Sequence, residues 1–236
     1  MREMKIKSLV SYICYLVFVL LIGYALYIEC APNMSMTISG RIFVGLASVF
    51  LLLIASCFRI SLLKSESTKT KTMRITLWIL FALYVFYLVM LLFFDTTVGR
   101  GFPNLDYSYF HIYLERSTNF IPFKTILYYV KELFKGELRY PLMNLLGNIF
   151  AFFPMGLFIP LLFPSFNKIG KFLIFIFTCL ILTESIQMLF MVGSCDIDDI
   201  ILNAIGAIAA FALIKAKLIQ ALTERLYIKG KVSAMD

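Results

Sequence analysis

The sequence predicts an all-α fold: a polytopic integral membrane helical bundle of about six transmembrane helices, with an amphipathic interfacial helix in one long outer loop. Three observations carry that expectation. Of the 236 residues, 61% are apolar and only 15% are charged, whereas ordinary globular domains run at roughly 45–50% and about 25%. The charges bound a series of nearly uncharged runs, most of them at or above the roughly 18 residues with which a helix crosses hydrocarbon while satisfying its own amides. The Lys and Arg residues gather in alternate loops. A disordered chain is excluded by 24 Phe, 13 Tyr and long Leu/Ile runs, which bury more surface than the ordering entropy requires.

Span one lies between Lys7 and Glu29. Its basic start invites comparison with a signal peptide, but the run exceeds a signal core of about 7–15 residues and no small-residue cleavage site follows, so it is expected to be retained. Span two runs from Arg41 to Arg59 and span three from Arg74 to Asp95. The stretch from Asp95 to about Leu142 is the long loop. Its first part, YSYFHIYLER, suits the headgroup zone, where Tyr offers an apolar body and a polar tip. Further on, Phe123, Ile126, Leu127, Val130, Leu133 and Phe134 recur at helical spacing, with Lys124, Lys131, Glu132 and Lys135 between them. That pattern predicts an amphipathic helix begun by Pro122 and stopped at Gly136, lying flat on the outer leaflet or capping the bundle. Span four occupies the uncharged stretch from Arg139 to Lys168, where Pro154 frees the Phe150 carbonyl and is expected to kink the helix. Span five, from about Phe172 to Val192, carries one acid, Glu184. Span six, beginning at or before Asp199 and ending near Lys215, is short: its uncharged core is about 22 Å long against about 30 Å of hydrocarbon. Either Lys215 and Lys217 snorkel or the aspartates are drawn into the membrane, and both together are expected.

A formal charge of +8 would raise nucleic acid as a partner of a soluble chain. In this chain the charge follows topology instead. Fifteen of the 22 Lys and Arg fall on one side of the spans and seven on the other, so the positive-inside rule predicts a multi-pass membrane protein with both termini cytoplasmic. With the acids included, the inside carries +11 and the outside −2, and Glu184 lies within a span. The expected partner is the lipid bilayer, not nucleic acid. Five Cys in no zinc-like spacing indicate neither a metal cluster nor a disulfide framework.

Polar side chains in spanning helices are costly and are functional candidates by default. Glu184 and Gln187 lie one turn apart in span five; Asn144 and Asn148 lie four apart in span four; Asp196, Asp198, Asp199 and Asn203 lead into and open span six. Under the predicted topology all of them fall in the outer half, which predicts one polar pocket facing out. The plainer reading is that such groups only tie helices together, at about 0.6 kcal/mol per interhelical hydrogen bond. Clustered carboxylates, however, repel and need a cation, an Arg or shared protons. Arg116, three residues before Asn119 in the long loop, is the expected counter-ion, and a bidentate bond from it would pin that loop over the pocket. A divalent metal on Glu184, Asp196, Asp198 or Asp199 is the other option, but DIDD matches no full metal loop, so no metal or cofactor is expected. His111, the only histidine, reads as interfacial. Glu184, Asp198 and Asp199 are the candidate acid–base residues, with none assigned as catalytic.

Four motifs in order, RSTNFIPFKTI (Arg116–Ile126), NLLGNIFAFFPMG (Asn144–Gly156), ESIQ (Glu184–Gln187) and DIDDIILNAIGA (Asp196–Ala207), resemble the VanZ-like family of bacterial membrane proteins. The resemblance covers roughly Ile75 to Leu213. It divides the chain into an N-terminal two-helix membrane extension (1–72), a VanZ-like membrane domain (73–216) and a cytoplasmic tail (217–236). Where family members often carry an Arg just before the DIDD-type motif, this chain has Ser194 and Cys195, which leaves Arg116 as the leading cation. The resemblance implies a cell-envelope role linked to resistance to teicoplanin, a lipoglycopeptide antibiotic. Two readings stay open. The preferred one is a non-enzymatic protein that binds or alters access to an outer-leaflet lipid or lipid-linked cell-wall precursor; the other is a membrane enzyme acting on such a lipid. A transporter would predict inverted repeats and midplane sites, and neither is found.

Overall fold

The computed structural model describes residues 2–30, 36–94 and 106–216. The expected cytoplasmic tail and the start of the long loop lie outside the described residues. The chain divides into two units at Ala82/Leu83, within the third long helix.

The first unit is built from α1 (Arg2–Cys30), α2 (Ile38–Leu62) and the early part of α3 (Glu66–Phe93). Thr37 begins α2, its side chain accepting from the Gly40 amide at 3.2 Å. A seam of small hydroxyls joins the three helices where lipid offers no other partner. Ser11 donates to the Ala55 carbonyl (2.9 Å), Tyr15 meets Ser56 (3.2 Å), and Ser56 meets Thr76 (2.8 Å). Arg41 grips Glu29 through two nitrogens at 2.7 and 3.1 Å. Outside this seam the helices expose large apolar side chains such as Leu20 and Phe43, a face suited to lipid and unsuited to water.

The second unit continues α3 and adds α4 (Phe110–Ser117), β1 (Thr118–Asn119), α5 (Lys124–Phe134), α6 (Arg139–Leu162), α7 (Ile169–Leu189), β2 (Cys195–Asp196) and α8 (Ile197–Lys215). Helices α6 and α8 pack most intimately, and glycine permits it. A Cβ at Gly206 would overlap the Ile149 carbonyl, and one at Gly156 would overlap the Ala207 carbonyl. Such close backbone approach is how helices associate without a hydrophobic driving force. Helix α6 stays continuous through Pro154 and Pro160, although each proline removes one intrahelical hydrogen bond. Phe172, Ile176 and Leu180 of α7 are buried with Phe152 and Ile159 of α6, and the Phe172 and Phe211 rings stack at 4.4 Å.

Across the described residues six helices are long and apolar enough to span a membrane, and the protein is an all-α, multi-pass membrane protein. Helix α5 forms where the amphipathic pattern predicts it and ends before Gly136, whose φ of +94° breaks the helix. Helix α4 lies within the aromatic segment that periodicity left without secondary structure. At the far end of α8, Lys215 donates to Asn167 at 2.8 Å and lies over the Phe211 ring, while Lys217 lies outside the described residues.

Candidate functional site

The motif residues meet at one end of the second unit, where α6 and α8 begin and α3 and α7 end. Two arrangements form there, a clasp and a cavity.

The clasp starts from the two-residue parallel pairing of β1 with β2, Thr118 opposite Cys195 and Asn119 opposite Asp196. Asp196 is the N-cap of α8: one carboxylate oxygen accepts from the Asp198 amide (2.9 Å) and from Asn119 Nδ2 (2.9 Å). Its other oxygen accepts from the Thr125 hydroxyl at 2.6 Å. Asp198 is wholly buried, and it caps a different helix. Its Oδ1 accepts from the Phe123 amide (2.6 Å), and its Oδ2 from the amides of Thr125 (2.7 Å) and Ile126 (3.0 Å). These are the donors that the first turn of α5 leaves without intrahelical partners. The Asp198 carboxylate thus sits in the first turn of α8 and at the start of α5, where two helix N-termini favour negative charge.

At Asp198 the negative charge is met by backbone amides. Arg116 ends α4 as an exposed side chain and forms no ion pair among the described residues. The loop is tied to the carboxylates by Asn119, Thr125 and three main-chain N–H groups. Phe123, just before α5, has φ +65°, a strained left-handed conformation for an aromatic residue, and its amide is one of those that Asp198 holds.

Helix α7 completes the clasp. Buried Glu184 accepts from the Asp196 amide at 3.1 Å, and Gln187 donates to the Leu92 carbonyl at 2.9 Å, near the end of α3. Tyr107 donates to the Leu189 carbonyl near the end of α7. Asn203 turns onto its own helix, donating to the Asp199 carbonyl at 2.7 Å. The Cys195 thiol is pushed up to about 11, first by burial and then by Glu184, Asp196 and Asp199. Burial and the charges of Asp199 and Asp196 likewise raise the Tyr129 phenol.

The cavity lies beside the clasp and measures about 160 Å³. Its polar wall is Asn144 and Asn148 of α6, Ser194 before β2, and Asp199 of α8. Leu91, Leu92 and Met143 supply much of the apolar wall. Asn148 donates to Asp199 Oδ1, and Asn144 donates to the Tyr140 carbonyl at 3.0 Å. Among the described residues no group of three or more His, Cys, Asp or Glu is arranged to hold a metal ion.

The structure therefore sorts the ten sequence-selected residues. Asn119, Glu184, Gln187, Asp196 and Asp198 bind the elements to one another; Asn144, Asn148 and Asp199 line the cavity; Asn203 braces α8; Arg116 stands apart. Sequence reasoning missed Thr125 and Ser194. Thr125 follows Pro122 at the start of an amphipathic run, a position whose unpaired amides need an acceptor, and Ser194 follows Gly193, whose φ of +74° marks a turn.

A family model described as VanZ/LLP1 matches residues 81–220. Protein VanZ of Enterococcus faecium is 28% identical over 136 residues, 57% of this chain and 70% of that protein. No solved structure matches the chain.

Proposed function

Because the chain belongs to the VanZ/LLP1 family, we propose that it is a bacterial cell-envelope protein that lowers susceptibility to teicoplanin-type lipoglycopeptides by engaging a membrane component, with its cavity turned to the outer leaflet. The observation that carries this reading is the size and lining of the cavity. At about 160 Å³ it is smaller than the roughly 300–1,000 Å³ of pockets that enclose drug-sized ligands. A lipoglycopeptide is larger still, so the site does not sequester the antibiotic. It suits a headgroup fragment of a lipid or of a lipid-linked cell-wall precursor, with Leu91, Leu92 and Met143 beside the attached chain.

The test is deletion of the gene followed by measurement of teicoplanin susceptibility and of labelled lipoglycopeptide binding to the envelope, with complementation by wild type and by Asp199→Asn. Deletion raises susceptibility, wild type restores resistance and the variant does not. Unchanged susceptibility on deletion ends the proposal. A second reading, an enzyme acting on the same lipid, is favoured by one observation: of Glu184, Asp198 and Asp199, only Asp199 lines the cavity, so a general base would be Asp199. An identical lipid extract with and without Asp199→Asn removes that reading.

A further inference from the structure

We propose that α5 and the turn before it form a docking surface for anionic phospholipid: Phe120, Ile121 and Phe123 enter the leaflet at this end of the second unit, and a ridge of lysines binds its phosphates. The proposal does not rest on the cavity. It starts from where α5 is held. The start of α5 hangs from Asp198, in the first turn of α8, through three amides, and Arg139, five residues after Phe134, begins α6. Helices α6 and α8 are both able to span a membrane, and α5 packs against both. Five residues reach at most about 18 Å, so α5 is kept at the level where those helices enter lipid.

The outward half of α5 is sorted by chemistry. Ile126, Tyr129, Val130 and Leu133 are half-buried and form the face that packs on the bundle. At about 100° per residue, Leu127 and Phe134 share the edge beside that face, and Lys131, Lys124 and Lys135 follow on the next. Phe134 is 88% exposed, and Phe120 and Ile121 are 62% exposed each. Large apolar side chains gathered at that level are suited to acyl chains and unsuited to water. The lysines suit the layer above, since their stems lie along apolar surface while the ammonium groups reach the phosphates. Lys124 and Lys131 form no ion pair among the described residues, and Lys135 meets Glu132 at 2.7 Å. Between Arg116 and Arg139 stand five cations and two acids, Glu132 and Glu137, an excess that an anionic surface complements and a zwitterionic one does not. Phe123 gives an independent indication. Its φ of +65° lies in the region that favours glycine, yet the residue is aromatic and 55% exposed. A ring so exposed gains little from packing on the protein to offset the strain, whereas burial among acyl chains offsets it.

The test reconstitutes the full chain in nanodiscs containing phosphatidylglycerol or phosphatidylcholine of equal chain length, each with a diazirine beside the ester linkage. Lipid adducts are mapped by mass spectrometry after illumination. In wild type, residues 120–139 take about tenfold or more phosphatidylglycerol adduct over phosphatidylcholine, because each basic group near an anionic surface contributes about fivefold. Lys124→Gln, Lys131→Gln and Lys135→Gln together remove that excess. Adducts on the basic segment 59–74 stay unchanged in the same variant, which shows that it is folded and inserted. Phe123→Gly, which suits the left-handed backbone, raises the melting temperature in detergent while adducts on 120–128 fall severalfold. Undiminished adducts in that variant would overturn the insertion of the turn. Equal labelling of 120–139 by the two lipids overturns the anionic preference, and adducts absent from 120–139 but present on 59–74 overturn the docking surface; both are read in wild type and depend on no variant folding. Either failure leaves the proposed function standing, since that is judged by teicoplanin susceptibility and by Asp199→Asn.

Discussion

Asp198 holds a second helix with one carboxylate, and its removal is the sharpest test of the clasp. Asp198→Ala leaves three amides of the α5 start without acceptors, and an unsatisfied buried donor costs about 1–3 kcal/mol. Thermal denaturation in detergent should show a loss of about 3 kcal/mol or more, and trypsin should gain access to Lys124. Asp198→Asn is intermediate, since an amide nitrogen replaces one accepting oxygen. A variant as resistant to trypsin as wild type would show that α5 is held by something else. Asn144→Ala, at an exposed residue with one hydrogen bond to its own helix, should stay within about 0.5 kcal/mol of wild type. Cys195 adds a pH signature. Its thiol is raised from 9.0 to about 11 in the folded protein, so the folded state keeps a proton that the unfolded state has lost. Its contribution to stability is complete below about pH 9 and falls as pH rises toward 11. Cys195→Ala should lack that component, which appears as a smaller drop in melting temperature between pH 8 and pH 10.5.

At the level of elements, the crossing of α6 and α8 makes two glycines of one helix pair behave oppositely. Gly206→Ala places a methyl group against the Ile149 backbone, which no side-chain rotation can relieve, and should cost at least the roughly 1–3 kcal/mol of an overpacked core. Gly147→Ala adds its methyl group to open space within α6, so helix propensity alone acts and the variant should match or exceed wild type by up to about 1 kcal/mol. Comparing the two melting temperatures in one detergent checks both, and equal loss would mean that the crossing is looser than drawn. The long elements were legible because charges end each span and because α5 shows its apolar residues at helical spacing. Helix α4 was not, since aromatic residues all round the segment from Phe110 to Tyr113 erase the period. The β1–β2 pairing has no local signature either: Asn119 and Asp196 stand 77 residues apart. The role expected of Arg116 failed to appear for a related reason. Side-chain charges can be counted along a chain, whereas the main-chain amides that stabilise Asp198 become donors only once α5 has an exposed N-terminus to cap.

At the scale of the whole molecule, the distribution of charge makes a prediction about sidedness. If the spans alternate in direction along the sequence, fifteen of 22 basic residues are expected on one side of the membrane, and the energetic bias of Lys and Arg toward the cytoplasm acts on short flanking loops of this kind. The clasp and the cavity sit beside Ser194 at the end of the second unit where α6 and α8 begin, and that alternation assigns this end to the opposite side. That residue is exposed and lines the cavity, which makes it a reporter of which compartment the site faces. Ser65, exposed between α2 and α3, reports the other side. With the native cysteines replaced, a membrane-impermeant maleimide applied to intact cells should label Ser194→Cys and spare Ser65→Cys until the membrane is permeabilised. The opposite pattern would turn the cavity toward the cytoplasm, where it could not meet an outer-leaflet lipid whatever its affinity for one.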